Sequence, residues 1–438
     1  MLAIFVKAGL VLASSLLGVL ALRTRLLDLP EPLFRRGVLA LQLVPALGLF
    51  VALYVVGHQE PTSDVPAYYL PAARAVLAGQ VPFRDFTLSY APGFSYVGAA
   101  LVYLWNSGKA FAAFAMLMNG IALIGWHTAA SAYFERSTVR QCTVLYATSG
   151  HVLVQALLGS NQAWVSAGLA VTAVLMTRGS NVGSGFVQAV TACTTKVLAH
   201  LFWPLLWICA PNRYRWLLGA VLPTVALYGA FIVAGAGPGL LYPLRHEGEL
   251  ISPGNLPYLL DLALAGMGPL EHLIYDALAL GALAAATLWL YLKTRTVAAK
   301  ERQALLLFGL ALTELVFVLF SKKSFTGYVL FAMYPLVLVL VTAVSGWRAR
   351  VSFLLSFNVL LAVEPSLWFY LDDKQRSLHT WLVAGGGKAA VGFALLDTAL
   401  LACYVYLAWL SVRGVERMAV GAMTSRNPSQ SVTACSLV

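Results

Sequence analysis

The chain has 438 residues, 60% of them hydrophobic and only 11% charged, with a mean hydropathy of +0.79. A soluble domain carries about 25% charged residues, so this chain cannot clothe its own surface with polar groups, and lipid must be the solvent for much of it. The net charge of +11 falls mostly in alternate short loops between apolar runs. That is a topology signal rather than the footprint of a nucleic-acid partner.

Apolar runs of about 18 to 22 residues recur from end to end, the length that matches the hydrocarbon core of a bilayer. In chain order they predict spans at 2–22, 37–57, 109–133, 141–158, 162–177, 183–198, 199–210, 216–235, 274–294, 303–321, 327–344, 351–370 and 389–412. The expected fold is therefore all-α, a polytopic transmembrane helical bundle of about 11–13 spans. The first run lacks a basic start and a small-residue cleavage site, so it reads as a membrane helix and not as a signal peptide. The pair 183–198 and 199–210 reads as two half-crossings meeting near Lys196, or as one broken helix. The expected division is 1–36, an amino-terminal helix and loop; 37–215, a first transmembrane module; 216–412, a second; and 413–438, a tail rich in Ser and Thr that is expected to be disordered.

One set of loops, from Arg23 and Arg25 through Arg136, Arg140, Arg213 and Arg348 to the tail arginines, holds 18 basic residues against 5 acidic ones. The opposite set holds 9 basic and 11 acidic residues. The positive-inside rule makes the first set cytoplasmic and puts the long loops 58–108 and 236–273 on the other side. Neither long loop is polar enough to be disordered. Val65 to Ala78 predicts a short helix ended by Gly79, and Gly93 to Trp105 an amphipathic helix along the interface, with Tyr96, Tyr103 and Trp105 as anchors. In the second loop Pro253-Gly254-Asn255 reads as a turn.

Side chains able to do chemistry gather in these loops. Asp64 opens the first, where partial desolvation can raise a carboxyl pKa and make a usable general base; a helix cap is the commoner role for such an Asp. Asp85 follows Arg84 in Pro82-Phe83-Arg84-Asp85-Phe86, either a second functional carboxylate or half of a solvated ion pair. Lys322-Lys323 and Arg245-His246 are cations on a side where cations are scarce. They suit the phosphate of a lipid carrier, or snorkel to ordinary headgroups. Lys196, with His200 one turn on, lies in an apolar stretch, and an intramembrane cation marks a functional site by default. Glu314 and Asp397 are intramembrane acids better explained by helix–helix pairing.

Four of the five cysteines (Cys142, Cys193, Cys209 and Cys403) fall in apolar segments without metal-ligand spacing and read as small core residues. The fifth, Cys435, begins Cys435-Ser436-Leu437-Val438, a loose match to a prenylation box read here as unmodified. There is no Walker loop, dinucleotide fingerprint, HExxH or GxSxG, which argues against a nucleotide-driven motor or a zinc hydrolase.

Asp64-Val65-Pro66-Ala67-Tyr68-Tyr69, Ala72-Ala73-Arg74, Gly79, Pro82-Phe83-Arg84-Asp85-Phe86 and Tyr90-Ala91-Pro92-Gly93 together resemble the GT-C superfamily of membrane glycosyltransferases. Lys196 in Thr-Lys-Val, Gly254-Asn255-Leu256 and Ser-Lys-Lys-Ser before Tyr328 add to it. The likeness is greatest to the bacterial polyprenyl-phosphate-mannose-type α-mannosyltransferases. It covers about 30 residues, a moderately specific pattern. Two features depart from the family pattern: the extra helix 2–22, and a single acid at the position where some relatives carry two adjacent acids. The resemblance implies a GT-C-like catalytic module over 37–215, with Asp64 as general base and Asp85 in support. It further implies substrate-binding roles for Tyr68, Tyr69, Arg84, Tyr90, Lys196, Arg245, His246, Asn255, Lys322, Lys323 and Tyr328.

The expected partners are a polyprenyl-phosphate sugar donor, a lipid or glycan acceptor and membrane lipids, with no nucleic acid. No cofactor is expected, and a divalent cation is not indicated. The activity implied is transfer of a hexose or pentose, mannose first among them, in cell-envelope glycolipid synthesis. Asn427 precedes Pro428, so no N-glycosylation acceptor exists, which leans towards a bacterial plasma membrane, with the site on the periplasmic side, over the endoplasmic reticulum. Two rivals stay open: a lipid or solute transporter with Lys196, Glu314 and Asp397 as a midplane relay, and a structural subunit of an envelope-polysaccharide complex.

Overall fold

In a bilayer every backbone polar group must be satisfied within the protein, which leaves helices as the economical element for apolar runs of this length. The computed structural model describes residues 2–62, 64–247, 251–264, 269–295, 297–375 and 387–424, and these contain no β-strand. Among them nine helices are long and apolar enough to cross a membrane. The protein is a multi-pass membrane protein built as an all-α bundle.

Helix α1 (Leu2–Arg23) is followed by α2 (Glu31–Phe50), which runs on as wider π-type turns to Val56. Asp64 then leads a single wide turn, Val65–Tyr69, into α3 (Leu70–Leu77). Gly79, at φ +83°, ends that helix in the left-handed region that glycine adopts without strain. After α4 (Phe94–Leu104) and α5 (Lys109–Ser131), the expected span 141–158 is instead two helices, α6 (Arg136–Ala147) and α7 (Gly150–Leu157). The break falls at Ser149, whose Oγ accepts from Val152 N and donates to Asn358 Oδ1 at 2.6 Å.

Next come α8 (Gln162–Thr177) and α9 (Asn181–Thr194), then a 3-10 turn (Val197–Phe202) that becomes α10 (Trp203–Cys209). The second half comprises α11 (Arg213–Phe231), α12 (Tyr242–Glu247), α13 (Leu256–Leu264), α14 (Pro269–Thr294) and α15 (Ala299–Phe320). It closes with a 3-10 turn (Thr326–Ala332) into α16 (Met333–Ala343), then α17 (Trp347–Gln375) and α18 (Gly387–Thr424).

Helices α15 and α16 are buried along almost their whole length and form the axis of the bundle; α1, α11 and α14 keep most of their surface outward. Without a hydrophobic drive between helices in lipid, close backbone approach matters. The α9–α11 crossing supplies it: a Cβ on Gly185 would lie 2.2 Å from Trp216 O, and one on Gly219 2.2 Å from Val182 O.

One further expectation changes. The segment after Arg413 is helical through Thr424, because Val415 and Ala419, one turn apart, are buried in the core shared with α15; residues 425–438 lie outside the described ones. The break expected near Lys196 falls at Thr195 (φ −124°, ψ −84°), and Lys196 is extended at the junction of α9 with the following 3-10 turn.

Candidate functional site

The residues that lead from α2 into α3, the turn before α4, the α9 junction and the Ser321–Phe325 loop meet at one end of the bundle, the Asp64 end. Asp64 occupies the capping position of its turn but makes no capping hydrogen bond. Its Oδ2 instead accepts from the Tyr90 hydroxyl at 2.7 Å and, at 3.5 Å, from that of Tyr69. Among the described residues its Oδ1 has no protein partner, so one oxygen is oriented and the other is open.

Aromatic packing fixes this arrangement. Tyr69 meets Tyr90 edge-on at 5.1 Å and Phe94 at 4.8 Å, and Phe94 stacks on Trp164 at 5.5 Å. Burial pushes the phenols of Tyr69 and Tyr90 well above their ordinary pKa, so both keep the proton they donate. The Tyr90 turn is docked on the end of α9 by backbone bonds: Gly93 N donates to Cys193 O at 2.8 Å and Ala91 N to Thr195 O at 3.4 Å. A side chain at Gly93 would put its Cβ 2.9 Å from Cys193 O, so the docking requires glycine.

That docking carries the next residue, Lys196, up to the Tyr90 ring. Its buried Nζ lies 5.4 Å from the Tyr90 ring centroid and 4.2 Å from that of Tyr328, and donates to the Tyr328 hydroxyl at 3.2 Å. No carboxylate lies within 4 Å of it among the described residues. Burial lowers the Lys196 ammonium to about 8, while the Asp64 carboxylate pulls the other way. Lys323, half-buried in the neighbouring loop, is lowered to about 7 by burial and then by the charge of Lys196. A carboxylate, two phenols and two lysines with ordinary proton affinities reduced thus share one end of the bundle.

The other expected site residues part company here. Asp85 and Arg84 form an exposed two-point ion pair at 2.8–2.9 Å, and Asp85 Oδ2 also accepts from Val81 N at 2.7 Å. Arg84 holds the Asp85 carboxyl down at about 2, so this carboxylate braces its own turn. Asn255 is likewise structural: Nδ2 donates to Ser252 O at 2.6 Å and Oδ1 accepts from Tyr258 N at 2.9 Å. Lys322 is buried and paired with Asp276 Oδ2 at 2.7 Å. Tyr68 and Arg245 are exposed, and the His246 side chain lies outside the described residues.

Sequence reasoning missed Asn161. It is fully buried, its backbone is near enough to Tyr69 to offset part of the rise in that phenol's pKa, and its side-chain amide has no partner among the described residues. An uncharged residue in Gly159-Ser160-Asn161 gives no chemical signal, although Gly159 at φ +72° marks the turn that places it.

Among the described residues no three His, Cys, Asp or Glu side chains converge as a metal-holding group. Comparison with known protein families finds no matching family model, and comparison with curated proteins finds no match.

Proposed function

We propose that the chain is an integral membrane glycosyltransferase of the GT-C type, moving a sugar from a polyprenyl-phosphate carrier to a lipid or glycan acceptor on the non-cytoplasmic face. One observation carries the reading: Asp64 accepts the Tyr90 hydroxyl and Lys196 lies by the same ring, a base and a cation near one another but not ion-paired.

The chemistry is an inverting displacement at the anomeric carbon. The acceptor oxygen attacks, its proton passes to the open Oδ1 of Asp64, and the bond from carbon to phosphate oxygen breaks with its electron pair leaving on the phosphate. Lys196 and Lys323 meet the charge that develops there, in surroundings where burial strengthens the interaction. No covalent sugar–enzyme intermediate is needed, so a single carboxylate suffices. Lys322, tied to Asp276, is replaced in this scheme by Lys196.

The positive-inside distribution of loop charge supports the placement of the Asp64 end away from the cytoplasm, and a bacterial plasma membrane with a periplasmic site fits it best. Lys196 feels the Asp64 carboxylate, which supports sugar transfer over a transporter relay through Lys196, Glu314 and Asp397. Purified protein incubated with radiolabelled polyprenyl-phosphate mannose and candidate lipid acceptors should form product with inverted anomeric configuration. Retention of configuration, or no transfer across a panel of polyprenyl-phosphate sugars, would count against it.

A further inference from the structure

A second constellation lies at the opposite end of the bundle, where α2 and α5 begin and end away from Asp64. There a cleft of about 240 Å³ is lined by Glu31, Arg35, His127, Ser131, Arg136 and Arg140. Two guanidinium groups, of Arg35 and Arg140, pair with one carboxylate, and a third, of Arg136, lines the same cleft. Arg140 is 1% exposed: Nη1 donates to Leu27 O at 2.6 Å and Leu29 O at 2.7 Å, and Nη2 to Glu31 Oε2 at 3.0 Å. Its Nε is buried with no partner among the described residues.

Arg35 gives its Nε to Glu31 Oε1 at 2.8 Å, and Arg136 gives one Nη to Leu29 O at 3.0 Å. Glu31 also takes His127 Nε2 at 2.6 Å, while His127 Nδ1 faces Thr143 Oγ1 at 2.9 Å. Glu31 is thus committed to three partners, and the arginine donors exceed what it and the two carbonyls absorb.

We propose that this cleft binds a phosphate group, carried by a lipid headgroup or free in solution, and that the site is distinct from the Asp64 end. Guanidinium forks match the geometry of tetrahedral oxyanions and hold them by several charge-assisted hydrogen bonds. The buried, incompletely used Arg140 supplies a fixed donor at the floor of the cleft, and the more exposed Arg35 and Arg136 close on the anion from its rim. The apolar spans start one turn away, which suits a phosphodiester whose acyl chains continue along α2.

The full-length protein tests this in two arms. In nanodiscs, native mass spectrometry would compare retention of phosphatidylglycerol with phosphatidylcholine; in phospholipid-free detergent, equilibrium dialysis would measure binding of inorganic phosphate. Arg35→Gln and Arg136→Gln should each weaken saturable binding about tenfold, the loss expected for one charge-assisted hydrogen bond. Arg178→Gln, an arginine outside the cleft, and Lys196→Met, at the Asp64 end, should leave it unchanged. Retention of phosphatidylglycerol alone assigns the site to a lipid, and binding of inorganic phosphate assigns it to a soluble anion. No saturable binding in either arm, or equal losses in Arg178→Gln and Arg136→Gln, would overturn the proposal.

Discussion

The Tyr90 hydroxyl donates to Asp64 Oδ2 at 2.7 Å, and this contact closes the first long loop on itself across 26 residues. It does two things at once. It occupies one carboxylate oxygen, leaving the other for a substrate proton, and it fixes the Tyr90 ring beside Lys196. Tyr90→Phe should therefore keep the fold and lower kcat by about tenfold to a hundredfold with little change in KM, the scale of loss for a mispositioned catalytic group. Steady-state kinetics of the purified variant checks this; a raised KM at unchanged kcat would assign Tyr90 to binding alone.

Lys196→Met removes the cation proposed to meet the departing phosphate. Loss of one such preorganised group costs about a hundredfold to a thousandfold in kcat. Lys322→Met should behave differently, because Lys322 is spent on Asp276. Its melting temperature should fall while kcat of the folded fraction stays near that of the unaltered protein, a contrast that thermal denaturation and turnover measured side by side would reveal.

Lys323 is lowered to about 7 and Lys196 to about 8, so each is charged below its own value and neutral above it. If the charged forms receive the leaving phosphate, activity is full below about pH 7 on this limb and falls as pH rises through 7 to 8. Arginine stays protonated throughout this range. Lys323→Arg should therefore move the alkaline limb upward in a pH–rate profile, whereas an unchanged limb would remove Lys323 from the mechanism.

Gly93→Ala would place a methyl group against Cys193 O. The forced shift should cost about 1–3 kcal/mol of stability and loosen the Tyr90 turn from α9, so both the unfolding midpoint and kcat should drop. By contrast Asp85→Asn, at an exposed and solvent-screened ion pair, should leave turnover within a few-fold of normal.

Membrane residence, the helical bundle and the short helix ended by Gly79 were legible in the sequence, because hydrophobic length and a left-handed glycine are local signals. Asp64 was legible only as a choice between capping and chemistry; the missing capping bond weighs against the cap, and Tyr90 lies too far along the chain for spacing to show the pairing. A break near Lys196 was legible from the two short apolar runs that meet there, but its place at Thr195 was not, because it uses neither glycine nor proline. Lys322 and Lys323 are indistinguishable as neighbours in sequence. Only packing separates the one braced by Asp276 from the one beside Lys196.

The central claim is that Asp64 is the base for sugar transfer. The most direct measurement is single-turnover transfer from a radiolabelled polyprenyl-phosphate sugar by purified Asp64→Asn protein whose melting temperature matches that of the unaltered chain. The account predicts no product above background with normal donor binding. Transfer at a near-normal rate by that variant would contradict it.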